Sequence, residues 1–207
     1  MQKNIYIQMI GCVFLTKLTK KEYQIMTFII FGIIAIVLLY LITSYNNLIK
    51  KKNMVEEGWS SIDVQLKRRS NLIPNILNSV KGYMSHEKKL FEEITKLRSQ
   101  SEAADNVIDQ GKTESSLSGS LMNLFAVAEN YPELKANENF LDLQNQLKEI
   151  EEDIQMARRY YNGTVRNNNV LVESFPTNLI ANTFGFEKAD FFEIEDQSVR
   201  DVPKVEF

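Results

Sequence analysis

Residues 25–42 form one uninterrupted apolar stretch, IMTFIIFGIIAIVLLYLI, which contains no charged residue. Extended to Tyr45 as an α-helix, it would be about 30 Å long, which matches the hydrocarbon core of a bilayer. Tyr40 and Tyr45 lie near its end, where aromatic side chains often sit at a membrane interface. We therefore predict a transmembrane helix over residues 26–45. The alternative is a buried core helix, but such helices are usually shorter or amphipathic.

Lysines on the two sides of this segment bear on its orientation. Those at positions 50–52 follow it and those at positions 17, 20 and 21 precede it, so the charge count nearly ties for the whole chain. Met26 stands at the start of the apolar run, and translation from there would leave no Lys or Arg ahead of it. We favour the hypothesis that residues 1–25 are an upstream extension, with the lysines at 50–52 holding the C-terminal part in the cytoplasm.

Cys12, the only cysteine, gives the N-terminus a competing interpretation. Residues 9–12, MIGC, resemble the end of a lipoprotein signal with a lipidated cysteine. The apolar region before them is shorter than a normal signal core and contains Gln8, and a lipid anchor beside a spanning helix is redundant. We therefore disfavour lipidation. A single cysteine also excludes an intrachain disulfide.

After Tyr45, apolar residues recur at alternating spacings of three and four, which is typical of helices that bury one stripe. The longest run predicts a helix over residues 138–174, and its stripe comprises Phe140, Leu143, Leu147, Ile150, Ile154, Ala157 and Tyr161. Pro74 suits a first helical turn with Asn71 as its cap, so we predict that a new helix begins there. Residues 99–116 lose the spacing and are predicted to form a loop.

These segments predict an all-α fold. An N-terminal transmembrane helix leads into an elongated antiparallel four-helix bundle, followed by a short C-terminal helix and an extended tail. The predicted domains are an N-terminal extension (1–25), the transmembrane helix (26–45), the helical bundle (46–175) and a short helix with an acidic, aromatic tail (176–207). Because no breaker lies between Tyr45 and Ser70, the membrane helix is expected to continue into the bundle.

The C-terminal part departs from the long helical pattern. Ser174-Phe175-Pro176 should end the long helix, since the residue before a proline disfavours helical angles. Residues 178–186 fit one short helix capped by Gly185. From Glu187 the tail is acidic, with Phe191, Phe192 and Ile194 interspersed. We expect it to fold back and pack its aromatic side chains on the bundle; the alternative is a disordered acidic tail.

Two charged residues fall on or beside the core stripe of the first helix. Arg69 lies in line with Leu66 and Ile73, and Asp63 borders the stripe beside Trp59. A buried charge normally needs a partner, so we predict that Asp63 or Arg69 pairs with polar groups of the long helix. The expected neighbours are Arg158, Arg166 and Asn168. The alternative is that Arg69 extends its guanidinium to water.

The polar stretch RRYYNGTVRNNN, residues 158–169, resembles an exposed loop when taken alone. However, Tyr161, Thr164 and Asn168 continue the stripe of the long helix, so we predict that it is helical. The sequon at Asn162 would then lie on a helix flank, and we do not expect glycosylation. A single Asn168 in the core could fix the register of the helices at a cost in stability.

The sequence predicts no catalytic residue, no cofactor-binding residue and no metal ligand. The single histidine, His86, cannot supply the paired Glu-x-x-His motifs of a two-metal bundle, and we interpret it as an exposed helix residue. The acidic cluster Glu149, Glu151, Glu152 and Asp153 points in several directions along a helix, so we interpret it as a solvated face. The net charge of -3 argues against a nucleic-acid partner.

Four segments together resemble the LemA family of bacterial single-span membrane proteins. They are EEGWSSIDVQLKRRSNLIPNILNSVKGY (56–83), QMARRYYNGTVRNNN (155–169), SFPTNLIANTFGFEKADFFEIED (174–196) and VPKVEF (202–207). The resemblance runs from about Met26 to Phe207 and leaves out residues 1–25. It implies a short N-terminus outside the bacterial cytoplasmic membrane, one span and a cytoplasmic helical domain. It supplies no established reaction and no catalytic set.

We therefore expect a membrane-anchored helical bundle that binds other proteins and is not an enzyme. A homo-oligomer is left open. One alternative is a small-ligand binder or enzyme that uses a pocket between helices. Another is an organiser of the lipid surface or envelope, suggested by the lysines at 50–52 near anionic headgroups.

Overall fold

The computed structural model describes residues 2–192, with side chains from residue 22 onward, and all the regular elements in that range are helices. The all-α prediction is confirmed for this part of the chain. The helices are α1 (Gln2–Lys81), α2 (Lys88–Glu102), α3 (Val107–Ala128), α4 (Pro132–Lys135), α5 (Glu138–Glu173) and α6 (Thr177–Phe184).

Helix α1 carries the apolar stretch and continues into the core without a break, as expected. Its most apolar 18-residue window has a mean hydropathy of 3.0, and none of that window is buried within the protein. By length and composition this helix can cross a membrane. The side chains that bury the core begin further along α1, at Leu48 and Ile62.

The prediction that a helix begins at Pro74 is wrong, because Pro74 lies inside α1 and Asn71 is not a cap. A proline in a helix interior costs about 3 kcal/mol through its missing N–H and its ring. Here the apolar stripe stays in phase on both sides, with Ile73 and Ile76 fully buried. Burial of those side chains offsets the cost, so the helix passes through the proline.

The chain turns at Gly82, not at Pro74, and α2 begins at Lys88. His86 is exposed as predicted, but it lies in the turn and not in a helix. The predicted loop over residues 99–116 is also largely wrong. Helix α2 continues to Glu102, and α3 begins at Val107, where the Asn106 side chain accepts a hydrogen bond of 2.8 Å from the Asp109 N–H. The capping residue Asn106 is therefore the sequence signal that marks the start of α3.

The prediction of one long helix over 138–174 is confirmed, since α5 spans Glu138–Glu173. Asn137 caps its first turn by accepting a hydrogen bond from the Phe140 N–H at 3.1 Å. The helix ends at Ser174, whose ψ of 140° is extended, immediately before Phe175-Pro176. The stretch 158–169 is helical throughout, so the interpretation of a loop is excluded.

Helix α1 packs along α5, and α2 packs along α3. Gly58 of α1 permits the close packing of α1 on α5, because a Cβ there would lie 3.1 Å from the Tyr161 Cα of α5. One continuous core joins the buried side chains of these helices with Leu134 of α4 and Phe192. The long helices thus bury their stripes against each other.

Helix α6 ends as predicted at Gly185, which adopts the left-handed conformation with φ 71°. Beyond it, residues 187–192, which we call the C-terminal strap, run back along α5. Phe192 is 1% exposed, and its ring centroid lies 6.0 Å from that of Trp59, so the predicted folding back is confirmed this far. Phe191 is largely outside the core, and Ile194 lies beyond the described residues.

Candidate functional site: a buried ion network between two cavities

Arg69 is the largest side chain buried almost completely, with 1% exposed. Its guanidinium reaches Glu114 of α3 and Glu151 of α5, and Nη1 donates to the Ser118 hydroxyl at 2.6 Å. The predicted pairing of Arg69 across helices is confirmed, and the alternative of a water-exposed guanidinium is wrong. Arg69 of α1 thus contacts both α3 and α5.

The partner of Arg69 on the long helix is Glu151, not Arg158, Arg166 or Asn168. The register explains the difference. Gly58 packs beside Tyr161, so in an antiparallel pair Arg69, eleven positions further along α1, lies about three turns earlier along α5. Arg158 is half-buried instead, and burial lowers the pKa of its guanidinium.

Asp63 does not pair with the long helix. Its side chain is exposed, and it makes no hydrogen bond or ion pair within the described part of the chain. The prediction of a pair at Asp63 is therefore wrong. The apolar stripe turns away from this position, because Ile62 and Leu66 take the buried sites on either side.

The acidic cluster on α5 is only in part the solvated face that was expected. Glu149 and Glu152 are exposed, but Glu151 accepts from Arg69, and Asp153 accepts from Arg68 at 3.1 Å. Among the described residues, no three His, Cys, Asp or Glu side chains are placed so that they could hold a metal ion. This cluster therefore contributes to helix contacts.

Glu114 is the network member that sequence reasoning missed. It is 5% exposed, accepts a hydrogen bond from the Ser101 hydroxyl of α2 and forms an ion pair with Arg69. The assignment of residues 99–116 to a loop concealed it. The available signal was its spacing: Glu114 stands three positions before Leu117 and seven before Leu121, on the stripe of α3.

A second polar group extends the network along α1. The Ser70 hydroxyl donates to Glu102 and accepts from Arg98 Nε at 2.9 Å. The hydrogen bond from Ser70 lowers the pKa of the Glu102 carboxyl, and the nearby Arg98 charge adds to this. Two carboxyl groups, the buried Glu114 and the partly exposed Glu151, thus surround the one guanidinium of Arg69.

Two cavities flank this network. The first, which we call the polar cavity, has a volume of about 510 Å³ and lies between α1 and the turn from α2 to α3. Ser70, Ser101 and Glu102 of the network form part of its wall. The other residues of that wall are Trp59, Asp63, Leu66, Lys67, Ala104, Asp105, Asn106, Val107 and Gln110.

The second cavity, which we call the α3–α5 groove, has a volume of about 650 Å³. Ser118 and Glu151 of the network stand in its wall. Its remaining wall is Ser115, Leu121, Met122, Phe125, Gln144, Asn145, Leu147, Lys148 and Gln155. The ion network therefore connects a polar cavity on one side of the core with a more apolar groove on the other.

A separate set of α5 side chains, the asparagine clasp, holds the C-terminal strap. Asn162 accepts from the Phe192 N–H at 2.9 Å and donates to the Phe192 carbonyl at 3.1 Å. Seven positions on, Asn169 accepts from the Ala189 N–H and donates to its carbonyl, both at 2.9 Å. Each amide therefore satisfies one residue of extended backbone as a neighbouring strand would.

Two more side chains complete the clasp. Tyr161 donates its hydroxyl to the Asp190 carbonyl at 2.8 Å, and burial, together with the Asp190 charge, raises the pKa of Tyr161. Asn168 is buried as expected, but its amide donates to the Glu187 carbonyl at 3.3 Å. It thus contacts the strap and does not pair two helices.

A sequence profile of the LemA family matches residues 58–207. The chain belongs to the LemA family. Protein LemA of Metamycoplasma hominis is 25% identical over 185 residues, covering 86% of this chain and 81% of that protein. The matched range contains the ion network, the clasp and the strap.

This LemA-family chain is also similar to magnetosome proteins. Magnetosome protein MamQ 2 of Paramagnetospirillum magneticum is 21% identical over 179 residues, which are 74% of this chain and 66% of that protein. Magnetosome protein MamQ of Magnetospirillum gryphiswaldense is 20% identical over 178 residues, 73% of this chain and 65% of that protein. The chain thus spans about two thirds of the length of these relatives.

The three consecutive asparagines of this LemA-family chain offer a matched test of the clasp. We expect Asn169→Ala to lower the free energy of unfolding by about 1–3 kcal/mol, because it removes two hydrogen bonds to the strap. Amide hydrogen exchange should rise at Ala189. Asn167→Ala, at an exposed neighbour, should leave both quantities unchanged. Equal effects of the two substitutions would contradict the role given to the clasp.

Proposed function

We propose that the chain is a single-pass membrane protein whose helical domain binds a helix of a partner protein in the α3–α5 groove. The domain would be an antiparallel bundle of α1, α2, α3 and α5. Two observed pairings support this arrangement: α1 packs on α5, and α2 packs on α3. Binding, and not catalysis, would be its activity.

The observation that carries the proposal is the groove between α3 and α5. Both helices belong to the same core, in which the Phe125 and Phe140 ring centroids lie 5.8 Å apart. Leu121 and Leu147 are buried beneath this groove, and the apolar surface that it exposes comes from Phe125 and from Met122, which is 73% exposed. A groove between two helices suits a third, amphipathic helix.

Charge defines which helix would fit. Glu151 is the carboxylate that both lines the groove and belongs to the buried network, and its side chain is 30% exposed. A Lys or Arg of the partner helix would meet it, while residues at i and i+4 would cover Met122 and Phe125. The expected partner is therefore an amphipathic helix with apolar residues and a basic residue on one face.

Membrane anchoring and orientation belong to the same proposal. The exposed apolar part of α1 would span the bacterial cytoplasmic membrane, with a short N-terminus outside. The lysines at 50–52 would lie on the cytoplasmic side and hold the helical domain there. Confinement at the bilayer raises the local concentration of a membrane-bound partner.

Site-specific photocrosslinking in native membranes tests this function. A photoreactive amino acid at Met122, in the groove, should capture one reproducible protein, whose crosslinked peptide is an amphipathic helix carrying Lys or Arg. The matched control is Val64 of α1, which is 53% exposed and lines neither cavity. Equal capture from both positions, or none from Met122, would contradict binding in the groove.

A second candidate is a small cationic ligand in the polar cavity. Three carboxylates, those of Asp63, Glu102 and Asp105, stand around it beside Trp59, while Lys67 is the basic residue in its wall. Acidic groups beside an indole favour an amine through charge and cation–π attraction. Titration with spermidine should change the fluorescence of Trp59, the only tryptophan, in a saturable way that Asp105→Asn weakens. A linear response, unaffected by the substitution, would exclude this site.

A further inference from the structure

Helix α6 lies beside the last turn of the apolar part of α1. The Phe184 ring centroid is 4.9 Å from that of Tyr45, and the Phe186 ring is 5.7 Å from it. One turn further along α1, Leu48 is fully buried in a small cluster with Ile180 and Ala181 of α6. The helix is therefore fixed at the level where the predicted span ends.

The surface of this helix is apolar and carries no charge. Residues 174–186, SFPTNLIANTFGF, contain no Asp, Glu, Lys or Arg. Ile180 and Ala181 face inward, whereas Leu179 and Phe184 are 59% and 61% exposed, and Phe175, just before α6, is 80% exposed. Large apolar side chains thus face away from the protein at one end of the domain.

The height of this surface relative to the span indicates what covers it. A span that begins at Met26 reaches the edge of the hydrocarbon core near Tyr45, after about 30 Å. Phe184 is level with Tyr45 because their rings are in contact. The lysines at 50–52 lie about 8–10 Å further along the helix axis, in the range of lipid headgroups. The exposed side chains of α6 therefore continue the apolar surface of the span.

We propose that α6, together with Phe175, is a second membrane contact that lies in the plane of the bilayer interface. Leu179, Phe184 and Phe175 insert among the acyl chains at the level where the span ends. The proposal rests on the membrane anchoring stated above and adds lipid as the occupant of this surface. Because α6 is packed on α1 and α5, the contact fixes the tilt and rotation of the whole domain against the membrane.

Tryptophan quenching by brominated lipid tests this contact in the full chain. In a Trp59→Phe background, single tryptophans replace Phe31 in the span, Leu179 in α6 or Val64 on the distal surface, and the protein is placed in nanodiscs with brominated acyl chains. We expect at least about twofold quenching at positions 31 and 179, because both would lie within the bilayer. Position 64, which is about 28 Å beyond Tyr45, should be unaffected.

The outcomes separate the two proposals. Quenching at position 31 but not at position 179 would overturn the contact of α6 and leave the span intact. No quenching at position 31 would overturn the membrane anchoring itself and, with it, the contact. A nitroxide at Leu179→Cys in a Cys12→Ser background gives a second measurement that keeps Trp59. It should collide more with oxygen than with a water-soluble nickel complex, and the reverse would contradict insertion.

Discussion

Replacing Arg69 with Met is expected to lower the free energy of unfolding by about 3–5 kcal/mol, the effect of removing one partner of a buried ion pair. The loss arises chiefly at Glu114, which is 5% exposed and would lose its cationic partner and keep only the Ser101 hydroxyl. Chemical denaturation of the full chain in detergent, followed by far-UV circular dichroism, measures this change.

The neighbouring arginine supplies the matched control. Arg68 pairs with Asp153 at 3.1 Å, but its side chain is 52% exposed, so Arg68→Met should cost about 1 kcal/mol or less. Combining Arg69→Met with Glu114→Leu should restore much of the lost stability, since an apolar replacement of a buried pair is often neutral. If the two single arginine substitutions cost the same, the network does not stabilise the core.

Replacing Phe192 with Ala is expected to cost about 3–5 kcal/mol and to release the C-terminal strap. The ring is 1% exposed and lies against Trp59, and its backbone is the one held by Asn162. Loss of the ring also exposes Trp59 to water. The expected result is therefore a lower unfolding midpoint together with a red shift of tryptophan emission in the folded protein.

Phe191→Ala provides the comparison for this second substitution. It removes the same side chain one position earlier, where the ring is 37% exposed. The expected cost is about 1 kcal/mol or less, with no shift of Trp59 emission. A large effect at Phe191, or a small one at Phe192, would show that the strap is not held by the ring of Phe192.

Local spacing predicted α5 almost to the residue, because its apolar stripe continues without a break over most of its length. Spacing alone did not place the first turn. Pro74 is a breaker in isolation, yet α1 continues through it because side chains on both sides are buried in the core. The glycine at position 82 was the better signal, since the turn follows where the stripe of α1 ends.

The sequence predicted one half of the ion network, the burial and pairing of Arg69, but not its partners Glu114 and Glu151. The position of Arg69 on an apolar stripe required a partner, and that much followed from the cost of burying a charge. The identity of Glu114 and Glu151 depended on the register between helices, which is a tertiary property that side-chain periodicity does not contain. Glu114 was further hidden because polar residues at 99–116 weakened the visible stripe of α3.

Because α1 is one unbroken helix, its rise per residue sets how far the ion network would lie from the bilayer. In the proposed membrane arrangement, Arg69 stands 24 residues beyond Tyr45, which at 1.5 Å per residue would place the ion network about 36 Å above the edge of the hydrocarbon core. Over that length, a tilt of α1 by about 20° at the membrane would displace the ion network sideways by about 12 Å. A partner that binds the α3–α5 groove as proposed would therefore have to extend well beyond the lipid headgroups.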